Sequence, residues 1–130
     1  MTSWETVRPY FDRAAIVHIA TLMPDGGPHV VPVWIGADGE HLVVFMEDGS
    51  LKDRNLQRDP RVALSVVHPE HPLDMATVRG RVVERITGEA AMQIVDRLAR
   101  AYTGEQFGMR SGLVAYRIMP DRAWATDHSG

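Results

Sequence analysis

One lysine stands among the fourteen lysines and arginines of this chain. It is Lys52, in the stretch Gly49-Ser-Leu-Lys-Asp-Arg-Asn-Leu-Gln-Arg-Asp-Pro60. The apolar run Leu42–Met46 precedes the stretch and Val62–Val67 follows it, which reads as strand, short helix, strand. Ser50 is a suitable N-cap, because its hydroxyl can accept from a first-turn N–H. Asp59-Pro60 closes the helix, since a residue before proline is pushed out of α geometry. A helix entered through Gly-Ser turns unpaired N–H donors and a positive dipole end toward any anion nearby. A lysine in the first turn opposes that dipole. The conflict disappears if an anion, phosphate first among candidates, sits between Lys52 and the helix end. A solvated lysine on a surface helix accounts for the spacing as well.

Other residues able to do chemistry are few. His68-Pro-Glu-His71 offers two imidazoles and a carboxylate, but no helix aligns the pair and no further ligand besides Asp74 is evident. A polar loop explains it better, and no metal is expected. Arg79 and Arg81 share one side of an alternating segment, suited to an anionic tail or to cross-strand carboxylates. No Gly-x-Gly-x-x-Gly follows a strand, no Gly-x-Ser-x-Gly elbow occurs, and there is no cysteine. A Rossmann nucleotide site, a serine-hydrolase site and thiol chemistry are therefore unsupported. No side chain stands out as a general acid, so no catalytic residue is assigned.

The motif Ser50-Leu51-Lys52-x-x-x-Leu56-x-x-Asp59-Pro60-Arg61-Val62-Ala63 resembles the phosphate-binding segment of the pyridoxamine 5'-phosphate oxidase-like, FMN-binding split-barrel superfamily. The run Lys52-Asp53-Arg54-Asn55-Leu56-Gln57-Arg58-Asp59-Pro60-Arg61 is most similar to the short actinobacterial branch that uses the deazaflavin F-420. Leu51 stands where FMN-dependent members carry an arginine. A second run, Pro24–Trp34, resembles the family's first hairpin, whose second strand lies along the cofactor ring. The resemblance implies a split barrel and a homodimer with cofactor sites at the interface. It implies F-420, with FMN as the alternative, and hydride transfer to an unsaturated small molecule. It makes Ser50, Leu51, Lys52, Arg54 and Asn55 the phosphate segment, with Arg58 nearby. His29, Val30, Val31, Pro32 and Trp34 become the ring-facing strand, and Trp124 the late aromatic near the neighbouring subunit's cofactor. Trp34 and Trp124 fit equally well as core residues, and His29 as a group facing water. The arginine-rich C-terminal motif of true vitamin B6 oxidases is missing. A non-catalytic module holding flavin, deazaflavin or haem is the alternative from outside the enzyme class.

These groups need a frame. Thr2 and Glu5 have capping-box spacing ahead of a short helix carrying Trp4, Val7 and Phe11. Strands are predicted over Ala15–Met23, Pro28–Ile35, His41–Met46, Val62–His68 and Met75–Ile86, with Pro69–Leu73 a loop. Gly80, inside the last of these, signals a bulge or a close backbone approach. Glu89–Tyr102 reads as a helix with Ala91, Ile94, Val95, Leu98 and Tyr102 on one stripe. Leu113–Ile118 and Arg122–Thr126 read as two final strands joined across Met119-Pro-Asp121. The sum is a mostly β, α+β chain: one domain over residues 1–130, an antiparallel barrel of six to seven strands with peripheral helices. A net charge of -3 argues against general attraction to nucleic acid or membrane. With no apolar run near membrane-spanning length, a cytoplasmic protein is expected.

Overall fold

The computed structural model describes residues 1–129. Its elements run α1 (Trp4–Val7), a 3-10 turn (Arg8–Asp12), β1 (Val17–Leu22), β2 (Pro28–Val33), β3 (Ile35–Asp38) and β4 (His41–Glu47). They continue with α2 (Leu51–Arg58), β5 (Arg61–His68), β6 (His71–Ile86), α3 (Gly88–Thr103) and β7 (Leu113–Asp127). All seven strands form one sheet in the order β2-β1-β5-β6-β7-β4-β3, every neighbour antiparallel. The sheet curls around Val17, Ile19, Leu64, Val66, Leu42, Val44 and Ile118, with Phe11 of the 3-10 turn among them. Strand β5 shows why: RVALSVVH alternates, so Val62, Leu64 and Val66 are buried while Arg61, Ala63, Ser65 and Val67 face out. Helix α3 covers the outside of β4 and β7, where Ala91 packs with Ile86 and Ala115. It also lies against β3, at Gly36. A Cβ there would come within 2.7 Å of a Leu98 methyl.

Several boundaries differ from those read in the sequence. The predicted strand Pro28–Ile35 is two strands with Trp34 between them, and these form opposite edges of the sheet. Ser3, not Thr2, caps α1 by accepting from Thr6 N–H. Thr2 instead accepts from Ala125 N–H, tying the N-terminus to β7. Pro69–Leu73 is not a loop throughout. The turn is confined to Pro69-Glu70, and β6 already starts at His71, opposite His68. The two predicted final strands are one, and Asp121 is an extra residue bulged out of the β6–β7 ladder beside Gly80. Gly80 is required there, because a Cβ would stand 2.3 Å from the Met119 carbonyl oxygen.

Candidate cofactor site

Helix α2 is held in a defined position by a carboxylate in its first turn. Ser50 caps it, its Oγ accepting from Asp53 N–H at 3.3 Å. Asp53 itself is wholly buried. Its carboxylate accepts from Arg85 Nε at 2.9 Å and Nη2 at 2.7 Å, from Tyr116 Oη at 2.6 Å and from Gly49 N–H at 2.8 Å. Burial alone would raise this carboxyl's pKa. The bonds from Arg85, Tyr116 and Gly49 outweigh burial and hold it well below the ordinary 3.8. Burial, and then Asp53, push the Tyr116 phenol up. The network fixes Gly49-Ser50 and turns the first-turn acid inward. What faces outward is positive: Lys52 and Arg54 have no hydrogen-bond or ion-pair partner among the described residues.

The other end of α2 is tied to the first hairpin. Asn55 Nδ2 donates to Thr21 Oγ1 at 3.0 Å, and Arg58 donates to Asn55 Oδ1 at 3.0 Å and to the Leu22 carbonyl. Asn55 is fully buried, so it braces the helix from within and leaves no surface for a ligand contact. Arg58 likewise serves the hairpin.

The β2 candidates divide by face. Val31 packs on the core, and His29 lies on the same inner side, across from Thr21. The Nδ1 atom of His29 is enclosed and has no hydrogen-bond partner. Val30 and Pro32 point to the outer face. Trp34 occupies neither face. It stacks on Tyr102 with centroids 5.2 Å apart and meets Phe45 and Phe107 edge-on. The Tyr102 hydroxyl donates to Ala15 C=O at 2.7 Å and accepts from Ile35 N–H, which pins the corner Trp34 turns. Phe107 is held by Asp96, which accepts its N–H and binds Arg110 through both carboxylate oxygens.

The outer face of β2-β1-β5-β6-β7 is open. Register places Val30, Ala20, Ala63, Arg79 and Arg122 in one row, and Pro32, His18, Ser65, Thr77 and Trp124 in the next. A cleft of about 390 Å³ runs between Val30 and Trp124 over the small side chains Ala20 and Ala63. Large apolar groups stay exposed around it: Ile16 at 68%, Val30 at 61% and Leu73 at 50%. The structure thus puts Val30, Pro32 and Trp124 on one surface and Ser50, Leu51, Lys52 and Arg54 at the head of α2. Trp34, His29, Val31 and Asn55 lie elsewhere. The His68 and His71 rings lie 4.7 Å apart, tilted by 48°, and the described residues contain no group of three or more metal-ligating side chains. The Asp53–Arg85–Tyr116 network went unread in the sequence, because its members lie 32 and 63 residues apart. The one signal for it was the acid in the helix's first turn.

The positive head of α2, free N–H donors beside an unpaired lysine, is a donor set suited to a phosphate. Small side chains under the outer cleft suit a flat ring. A flavin-type group is compatible with both.

A sequence profile of the pyridoxamine 5'-phosphate oxidase family matches residues 3–127. Among solved structures, an F-420 reductase is 28% identical with a TM-score of 0.81, over 95% of this chain and 98% of that one. The conserved hypothetical protein Rv2991 of Mycobacterium tuberculosis is 23% identical with a TM-score of 0.83, over 99% and 87%. An FAD- and haem-binding protein of Mycobacterium smegmatis shares the fold at 22% identity and a TM-score of 0.75, over 100% and 73%. No curated protein matches the chain. Among the described residues, no helix is long and apolar enough to cross a membrane.

Proposed function

The chain belongs to the pyridoxamine 5'-phosphate oxidase family, and from that premise we propose that it is a cytoplasmic, F-420-dependent reductase of a small unsaturated substrate. The observation that carries this reading is the head of α2. Its own acid, Asp53, is turned inward onto Arg85, and Lys52 has no partner among the described residues and stands beside the first-turn N–H groups. Such an arrangement is unfavourable to itself and favourable to a bound phosphate. Ser50 and Lys52 would hold that phosphate, with Arg54 close behind, and Val30, Pro32 and Trp124 would bound the ring. When bound, the deazaflavin supplies the hydride. The chain's own part is to place the acceptor over the small floor of the outer face and to keep water from it.

F-420 is favoured over FMN because Leu51 removes the arginine that FMN-dependent members use, and because an F-420 reductase shares 28% of this sequence. The reading includes a homodimer closed over the outer face, which would cover the exposed Ile16, Val30, Val67 and Leu73.

Titration of the purified protein with F-420 and with FMN, in wild type and Lys52→Ala, tests the assignment. Tight F-420 binding that weakens in the variant supports it. Preference for FMN moves the protein to the FMN-dependent alternative, and binding of neither overturns the phosphate assignment. Binding without turnover of any enone or quinone supplied with reduced cofactor would make the protein a carrier. Sedimentation equilibrium with and without cofactor tests the dimer.

A further inference from the structure

The outer face changes character at His18. On one side of it lie Ala20 and Ala63, the floor on which the ring would rest. On the other side a larger recess of about 550 Å³ opens between the chain before β1 and the β5–β6 hairpin. Ile16, Val67 and Pro72 wall it, and its polar side chains are His18, Ser65 and His68. That volume, mostly apolar and with a few polar groups, suits a small molecule. His18 and Ser65 are cross-strand neighbours and line both recesses, so they mark the boundary between ring and recess. Ala14, also in the lining, has a φ of 51°, the one positive value at a non-glycine among the described residues. Strain of that kind gathers at ligand sites.

The two imidazoles of the recess differ. His68 is committed to its own turn, its Nδ1 accepting from Glu70 N–H at 3.0 Å. His18 is exposed and has no hydrogen-bond or ion-pair partner among the described residues. Its neighbours across the sheet are Pro32 on β2 and Ser65 on β5, with Thr77 of β6 beyond. The other ionisable groups lining the two recesses are His68 and Arg79; neither lining contains a carboxylate. Nothing in the chain thus claims the His18 N–H, and a reacting molecule in the recess would meet it next to the ring.

We propose, resting on the reductase reading under Proposed function, that this recess takes an apolar α,β-unsaturated ketone and that His18 is its proton donor. As a hydride passes from the reduced deazaflavin to the β-carbon, the C=C pair shifts toward the carbonyl and the carbonyl pair moves onto oxygen. The His18 imidazolium gives its N–H proton to that oxygen. The enol becomes the saturated ketone, and water returns a proton to the ring. Two electrons leave the cofactor and the same two reduce the ketone. The second copy proposed to close over this face would rest on the exposed Ile16 and Val67 and roof the recess.

The test uses a mimic of the enolate, 5,5-dimethylcyclohexane-1,3-dione as its anion, and its uncharged methyl enol ether. Both are titrated calorimetrically into the cofactor-free protein, as wild type, His18→Leu and His18→Gln, and into wild type loaded with F-420. His18 is exposed, so both variants should fold. Wild type should favour the anion, and His18→Leu should lose about tenfold for the anion and nothing for the ether, as for a charge-assisted hydrogen bond. His18→Gln keeps an N–H that it cannot give up. It should retain most of the anion affinity, while kcat for 2-cyclohexen-1-one falls about a hundredfold, the scale of general acid catalysis. Equal affinity for anion and ether, anion binding unchanged in His18→Leu, or wild-type kcat in His18→Gln would overturn the proposal. Displacement of the anion by F-420 would overturn the placement, since the two would share one recess. Selectivity that depends on His18 in a protein binding neither F-420 nor FMN would keep His18 as an anion-binding group. It would overturn the proton transfer together with the reductase reading.

Discussion

Two of the arginine-containing regions of this molecule solve the same electrostatic problem in opposite ways. At α2, Arg85 is paired with a fully buried carboxylate whose oxygens are also bound by a phenol and a backbone N–H. On the outer face, Arg79 and Arg122 stand side by side and neither forms an ion pair among the described residues, the nearby Asp121 being bound to Arg81. A satisfied buried network is expensive to disturb and makes scaffold. An unsatisfied exposed pair costs little to change and gains most when a ligand arrives.

The sharpest way to break the contrast is Asp53→Ala. It strips Arg85, Tyr116 and Gly49 of their common partner, and removal of one member of a buried pair costs about 3–5 kcal/mol. Urea unfolding should place the variant at the lower end of that range, since the Arg85 side chain keeps 29% of its surface exposed. Gly80→Ala comes next. Its Cβ would overlap the Met119 carbonyl, which is backbone and cannot swing aside, and a loss of about 1–3 kcal/mol is expected.

Lys52→Ala should leave the urea midpoint within about 0.5 kcal/mol of wild type. Its F-420 affinity should fall by about 1.5–3 kcal/mol, the value of a hydrogen bond to a charged group. A variant that lost stability instead would move Lys52 into the scaffold. Acid has a smaller and graded effect. The pKa of Asp53 is lowered on folding, so its contribution is complete above the unfolded value near 3.8 and is lost as pH falls below that toward the folded value. The stability gap between wild type and Asp53→Asn should therefore narrow below pH 3.8 and stay constant above it. Smallest of all, Arg79→Gln should unfold within about 0.5 kcal/mol of wild type, on the stable side if anything, because it relieves repulsion across the sheet. A large loss there would erase the distinction between the two regions.

Legibility of the sequence followed the same division. Local patterns could be read directly. Ser50 caps α2 and Asp59-Pro60 ends it, because capping and proline sterics act within a few residues. Gly80 announced its close approach, since only glycine fits 2.3 Å from a carbonyl. The mostly β, antiparallel barrel followed from alternation along the strands. Long-range features were hidden. Nothing near Trp34 reveals that it separates one strand from another at the far edge of the sheet, a break at which it stacks on Tyr102, 68 residues later. Asn55, which the resemblance places in the phosphate segment, is buried, because Thr21 lies beneath it. Arg61, Arg79, Arg81 and Arg122 converge only once β5, β6 and β7 are in register.

The two edges of the sheet bear on how the protein meets copies of itself. Strand β2 forms one edge and carries Pro28 and Pro32, which have no N–H to offer a further strand. Strand β3 forms the other edge and is four residues long. Trp34 is the single residue between them, so the two edges meet at that corner within two Cα steps of about 3.8 Å each. Ribbon-to-ribbon growth, the usual route by which open sheets pass into fibrils, finds little template here. Copies of this chain should therefore resist pairing edge to edge while they are crowded during synthesis.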